Sequence, residues 1–334
     1  MARILTEGIE LGDLLAFANI VNMNTTTTTV RSGTYAMQNS GAQSRVDRAV
    51  TAAAEFYIRT ACRFASFSTN MEVISWLSGV TQLGAIRING SGRWELITST
   101  GTIVDTATGI ISFDTWYLLE LRIKIANAGG VLELKVDGQV VATFTGDTQP
   151  GADTTLDTLR WESDNVANSS VFFDDFAVND TTGGTDDNYP GDGKIFTALT
   201  PNANGTTSQL TGSDGDSTDN YLLVDEIPHD TDTTYVESNT ALQNDLYNLT
   251  SMAALLGGTI RRVYVDARVR ETVADANQIN LGVKSGGTTS WGTARTVTTT
   301  YARYVGDDLT TDPNTGLAWT ESAVNAIEAG MRIV

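Results

Sequence analysis

The sequence predicts an all-β protein: two antiparallel jelly-roll or β-sandwich domains, with one short helix near the C-terminus. Three observations carry this. Side chains alternate in character along many short runs, the period of two that belongs to a half-buried strand. Thr is abundant, as in Thr25 to Thr29 and Thr296 to Thr300, and Gly occurs 31 times in 334 residues, so strand formers and turn formers dominate. Sustained helical periodicity is nearly absent.

The clearest element is a hairpin. Tyr117, Leu119, Leu121, Ile123 and Ile125 share one face, and Trp116, Leu118, Glu120, Arg122 and Lys124 the other. After Asn127–Gly130 the alternation resumes with Leu132, Leu134 and Val136 opposite Glu133 and Lys135. Asp137-Gly138 favours positive φ, so residues 140–143 fold straight back. Further strands are expected near 36–38, 55–64, 71–78, 83–89, 94–98, 158–163 and 170–179, in a first domain spanning 1–180. Residues 181–193 read as a linker, rich in Gly, Asp and Thr and holding Pro190. The second domain, 194–334, carries strands at 195–200, 221–225, 245–248, 260–269, 278–284 and 302–309. Thr320 is placed to cap a short helix, with Glu321 in its first turn and Gly330 at its C′ position, and residues 331–334 form a last strand.

Charge and cysteine content narrow the partners. The net charge is −19, and residues 181–334 hold 9 basic residues against 20 acidic ones. Such a surface repels nucleic acid and anionic membrane, so neither is expected as a partner. The single Cys62 cannot close an intrachain disulfide and sits in a strand-like run, where it reads as a small buried apolar residue. Glu7, Glu10 and Asp13 interrupt any apolar core of a signal peptide, and no stretch approaches the roughly 20 apolar residues of a membrane span.

Motifs for chemistry are sparse. The one histidine, His229, lies in an acidic loop with no sequence partner for a triad, and one His and one Cys make no zinc cluster. No phosphate-binding glycine loop follows a strand and precedes a helix. The chain is therefore expected not to be an enzyme. Asp214, Asp216 and Asp219 fall within six residues, and hard oxygen donors at that density suit Ca²⁺, although the spacing is not that of an EF-hand loop. An aromatic side chain among polar neighbours can serve as a sugar platform, and Trp291, Trp94, Trp161 and Trp76 are the candidates, Trp291 foremost because its surroundings read as a loop.

Two resemblances add to this. Trp116, Val136-Asp137-Gly138 and the return run 140–144 resemble the laminin-G/concanavalin A-like jelly rolls, as does the closing strand 171–178 with its Asp174-Asp175 pair, whose carboxylates strict alternation puts on opposite faces. Jelly-roll glucanases carry Glu-x-Asp-x-x-Glu on one strand; Glu162-Ser163-Asp164 lacks the closing Glu. Asn220–Glu226 with Asp232–Ser238, Asp245-Leu246-Tyr247 and the ending Asp312–Gly330 resemble a structural module of tailed-phage virions, and the opening Met1–Gly8 resembles the start of phage jelly-roll proteins. The resemblance implies an accessory virion protein, in the head decoration or in the tail or its fibres. It would be made in the host cytoplasm and bind other virion proteins as a homo-oligomer, with a host-surface glycan as a further partner. A free carbohydrate-binding lectin and a polysaccharide depolymerase remain as alternatives.

Overall fold

The computed structural model describes residues 3–67, 69–99, 102–163, 169–196, 198–255 and 257–334. These form an all-β chain of antiparallel sheets with one short α-helix near the C-terminus. Chain contacts divide it into two compact units, Met1–Thr197 and Ala198–Val334.

The first unit is built from β1 (Arg3–Glu7), β2 (Ala18–Val21), β3 (Met23–Thr26), β4 (Ala36–Asn39), β5 (Ser44–Ala53), β6 (Glu55–Ser66), β7 (Met71–Ser78), β8 (Thr81–Ile88), β9 (Trp94–Thr98), β10 (Ile103–Thr106), β11 (Trp116–Lys124), β12 (Gly130–Val136), β13 (Gln139–Gly146), β14 (Leu156–Ser163) and β15 (Ser170–Asp180). One sheet runs β13-β12-β11-β6-β15-β4-β3, with β1 added on β15; the other runs β10-β9-β8-β7-β14-β5-β2. The alternation read from the sequence decides which side chains meet between them. Leu119, Leu121 and Ile123 pair with Val136, Leu134 and Leu132 and are buried in the same core as Phe56, Ile58, Phe173 and Phe176. The second sheet supplies Ile74, Trp76, Ile86 and Trp161. Phe17, Trp161 and Phe176 meet edge to face with centroids 5.2–5.7 Å apart, the geometry that aromatic quadrupoles favour. The hairpin turn is as expected, with Asp137 at φ 50° and Gly138 at φ 79°.

Two expectations change here. Residues 181–193 are not a free linker: they lie on the outer face of the first sheet. The Tyr189 hydroxyl donates to Glu133 Oε1 (2.7 Å), Gly191 N donates to Glu120 Oε1 (2.7 Å), and Arg59 Nη1 donates to Gly191 O (3.1 Å). Nor do Asp174 and Asp175 point to opposite faces. Asp175 adopts φ 54° at a register shift between β15 and β6, and this bulge turns both carboxylates toward residues 31–32. Asp174 Oδ2 accepts from Arg31 N (2.8 Å), while Asp175 takes Arg31 Nη1 (2.6 Å), the Ser32 hydroxyl (2.7 Å) and Ile195 N (2.7 Å).

The second unit contains β16 (Pro201–Ser208), β17 (Thr211–Gly212), β18 (Val236–Glu237), β19 (Asn244–Leu249), β20 (Asp266–Val269), β21 (Gln278–Ser285), β22 (Thr288–Trp291), β23 (Arg295–Thr296), β24 (Ala302–Val305), α1 (Glu321–Val324) and β25 (Glu328–Ile333). Its main sheet runs β16-β19-β25-β21-β22 with β23 on β21; β17-β18 and β20-β24 are separate pairs. The apolar clusters are small, one around Val283, Trp319, Val324 and Ile327, the other around Ile279, Leu281 and Val297. Several expected strands are not there. Residues 198–200 are irregular, Asn220–Leu223 is a 3₁₀ turn, and the 260–265 stretch contributes a single bridge, Val263 to Leu309. Thr320 does cap α1, its hydroxyl accepting from Ala323 N (3.1 Å), but the helix ends at Asn325, and Gly330 lies inside β25 opposite Leu246. No described helix is long and apolar enough to cross a membrane.

Candidate functional site

Three of the four tryptophans named as sugar platforms are core residues. Trp76 and Trp161 are 0% exposed and Trp94 is 3% exposed. Each occupies an inward strand position, beside Ile74, Leu159 and Leu96 respectively in the alternation, and no ligand reaches it. Trp291 differs. It ends β22, is partly exposed, and lies opposite Gly282 of β21, which in turn lies opposite Gly330 of β25. Glycine at Gly282 is dictated by this contact, since a Cβ there would run into the indole ring.

Around Trp291 the outer face of the main sheet is polar because β21 and β25 alternate. Ile279, Leu281 and Val283 point to the core, which leaves Asn280, Gly282 and Lys284 outside, next to Glu328, Gly330 and Arg332. The Arg332 guanidinium sits 5.1 Å from the Trp291 ring centroid, a cation–π arrangement, and its Nη2 donates to Asn280 Oδ1 (2.9 Å). Asn280 Nδ2 is anchored on Gly292 O (2.8 Å). Further along, Lys284 Nζ donates to Glu328 Oε1 (3.1 Å) and to Thr206 Oγ1 (2.7 Å), and Thr206 N donates to Glu328 Oε2 (2.7 Å). Burial pushes the Glu328 carboxyl up, but the two Thr206 bonds and Lys284 outweigh it and hold the group below the ordinary range. A cavity of about 60 Å³ opens beside Trp291, lined by Val265, Leu281, Asp307 and Leu309 among others. Small-molecule pockets are several times larger, roughly 300 Å³ and up, so a ligand here lies on the sheet surface.

A second polar row lies on the outer face of the first unit's second sheet. Arg160 grips Asp47 through Nε (2.7 Å) and Nη2 (3.0 Å), and Asn19 adds a third bond (3.0 Å). Burial raises Asp47, yet the Arg160 and Asn19 bonds with the Arg160 and Arg45 charges outweigh it and keep the carboxyl low. Ser75 donates to Glu162, Arg87 Nε to Glu95 (2.7 Å) and Asn89 Nδ2 to Glu95 (2.7 Å). Glu162 is thus set beside Ser75 and Arg160; Asp164, the next residue of the partial glucanase pattern, lies outside the described residues.

The metal expectation also changes. Among the described residues no group of three or more His, Cys, Asp or Glu converges to hold a metal, so Asp214, Asp216 and Asp219 do not act as a carboxylate trio. Asp216 Oδ1 instead accepts from Thr218 N (2.6 Å), and Asp219 sits at φ 58° before the 3₁₀ turn.

No family model and no curated protein matches the chain. Solved structures with a similar fold do. An endo-β-1,4-glucuronan lyase from the fungus Trichoderma reesei aligns over 53% of this chain and 95% of its own, at 15% identity and TM-score 0.44. The cellulose-induced protein Cip1 aligns over 52% and 96%, at 14% identity and TM-score 0.42. The alginate lyase Aly36B aligns over 43% and 80%, at 12% identity and TM-score 0.31. Because these neighbours include enzymes, the expectation of a chain without enzymatic activity is withdrawn. A likeness this distant concerns the fold, and it assigns no reaction, substrate or residue.

Proposed function

We propose that the chain is an accessory structural protein of a tailed-phage particle whose second unit binds a surface glycan. The Trp291 face is the observation that supports binding. A partly exposed aromatic ring, a guanidinium, an amide and a carboxylate–lysine pair are held in fixed positions on a flat sheet, ready to stack on a sugar ring and bond its hydroxyls. The virion part rests on the sequence resemblances within 186–334 and at Met1–Gly8; capsid or tail proteins are the partners it implies, with an oligomer that follows the particle symmetry. Glycan-array binding by the full chain tests the site. Trp291→Ala is expected to weaken binding by about 2 kcal/mol, close to thirtyfold in Kd. Unchanged binding by that variant sinks the site, and absence of the chain from purified particles by cryo-electron microscopy sinks the virion reading.

A second reading, cleavage of a polysaccharide, is favoured by the row of Asp47, Arg160, Glu162 and Glu95 on the first unit. It requires shortened oligosaccharides from a polymer incubated with the wild-type chain, and their loss with Glu162→Gln. Intact polymer removes it.

A further inference from the structure

We propose, resting on the glycan reading of the Trp291 face, that the glycan is an acidic one and that Arg332 grips its carboxylate. Arg332 lies on β25 between Asn244 of β19 and Asn280 of β21 in the sheet register. Both neighbours are already committed. Asn280 Nδ2 donates to Gly292 O (2.8 Å), which leaves its Oδ1 to accept from Arg332 Nη2 (2.9 Å). Asn244 Nδ2 donates to Gln209 Oε1 (3.0 Å), and its Oδ1 accepts from the Thr207 hydroxyl (2.7 Å). A guanidinium carries five N–H donors, and among the described residues one of those on Arg332 has a partner.

That partner is a neutral amide, although acids outnumber bases 20 to 9 in residues 181–334. Arg262, Arg270, Arg295 and Arg303 of the same unit each hold an aspartate, Asp308, Asp232, Asp307 and Asp266 in turn. Among the described residues no carboxylate pairs with Arg332. An anionic ligand can therefore meet this guanidinium without first breaking an internal ion pair. The other charges of the face, Lys284 and Glu328, cancel each other at 3.1 Å. Charges elsewhere on the chain are screened over about 8 Å at physiological salt, so Arg332 sets the sign that a sugar on this face feels. Arg332 and Trp291 are both partly exposed, and the guanidinium is 5.1 Å from the ring centroid, so a sugar stacked on the indole brings its substituents to the arginine. A planar fork with one positive charge matches the two oxygens and single negative charge of a carboxylate. The ligand class is thus a polysaccharide with carboxylate-bearing units.

The test is binding of the full chain to an array of glucuronate, galacturonate and sialic acid oligosaccharides, each beside its carboxyl-reduced, neutral counterpart. Wild type is expected to bind an acidic member about tenfold more tightly than its counterpart, the scale of a hydrogen bond to a charged group. Arg332→Gln keeps an amide that can bond Asn280 but removes the charge; it should bring the two affinities together without weakening the neutral member. Arg332→Lys keeps the charge without the fork and should restore part of the preference. Trp291→Ala, by contrast, should weaken both members of a pair. Acidic members bound no more tightly than neutral ones by wild type, or an unchanged preference in Arg332→Gln, would overturn the inference and leave the Trp291 reading standing. Binding of neither member of any pair would overturn both.

Discussion

In the first unit, fifteen strands stack into two sheets around one continuous apolar cluster; in the second, the main sheet has six strands, and carboxylates reach back to loop amides where apolar volume is short. Asp245 is the fullest case. At 1% exposure it accepts from Gln209 N (2.5 Å), Leu210 N (2.9 Å), Asn220 Nδ2 (2.6 Å) and the Tyr247 hydroxyl (2.8 Å). Asp312 holds Asn314 N and the Thr315 hydroxyl, and Asp307 holds Thr293 through its amide and hydroxyl. The difference follows from composition. A chain rich in Thr, Asp and Gly cannot fill a second large core, and a buried carboxylate that satisfies several donors at once is the means left to dock irregular backbone.

Substitutions in the two units should separate these two modes of cohesion. Trp161→Ala removes the ring shared by Phe17 and Phe176 and should destabilise the first unit by about 4 kcal/mol, while the second keeps its own transition; chemical denaturation followed by hydrogen exchange of each unit checks it. Loss of both units together would show that they share one cooperative core. Asp245→Ala strands four donors and should cost the second unit roughly 3 kcal/mol, with early exchange of the 209–220 amides. A loss below about 1 kcal/mol would mean that water replaces the carboxylate and that apolar contacts suffice there too.

Acid sharpens the comparison further, with the smallest effect. Burial pushes Glu10 up to about 7, against the pull of the Thr34 and Tyr35 amides, and burial followed by the Asp175 charge raises Asp174. In the folded state these groups keep protons that the unfolded chain has already released. Their contribution is therefore present at low pH and lost as pH climbs from about 4 towards about 7. Glu328 and Asp312 of the second unit are shifted the other way, Glu328 by the Thr206 bonds and Lys284 against its burial, Asp312 chiefly by the Ser285 hydroxyl, so their contribution falls away only in stronger acid. Moving from about pH 7.5 to about pH 5.5 should raise the first unit's stability by about 1–2 kcal/mol and leave the second's unchanged. A fall in the first transition over that interval would contradict the burial of Glu10.

Regular alternation made most of the first unit legible. The hairpin of β11 and β12 and its Asp137-Gly138 turn need no tertiary knowledge, because side-chain period and turn chemistry agree. The same alternation held the answer for the tryptophans: Trp161 shares a parity with Leu159, Trp76 with Ile74 and Trp94 with Leu96, whereas Trp291 shares one with Thr289. What the sequence hid was long-range. Nothing local in 181–193 shows that it will cover Arg59 and Glu120, more than sixty residues upstream. Of the strand expected at 260–269 only 266–269 forms a paired strand, and the run expected at 221–225 turns instead, where the buried Asn220 amide bonds Leu210 O and Asp245, a choice made by side-chain partners rather than by propensity. Spacing likewise brings Asp214, Asp216 and Asp219 together in the chain, but the fold gives Asp214 and Asp216 to the amides of Asp216 and Thr218, and among the described residues no carboxylate trio converges.

The ties of Asp175 and Arg31 to the stretch after β15 set an order on the birth of the protein. Arg31 Nη1 donates to Gly193 O (3.0 Å), Asp175 takes Ile195 N (2.7 Å), and Arg59 takes Gly191 O (3.1 Å). A nascent chain that has emerged through residue 180 possesses every strand of the first unit, yet its Asp175–Arg31 pair still waits for acceptors and donors inside the ribosome. A fragment intended to fold alone should accordingly be cut after Phe196, not at the glycine-rich stretch where composition invites the scissors.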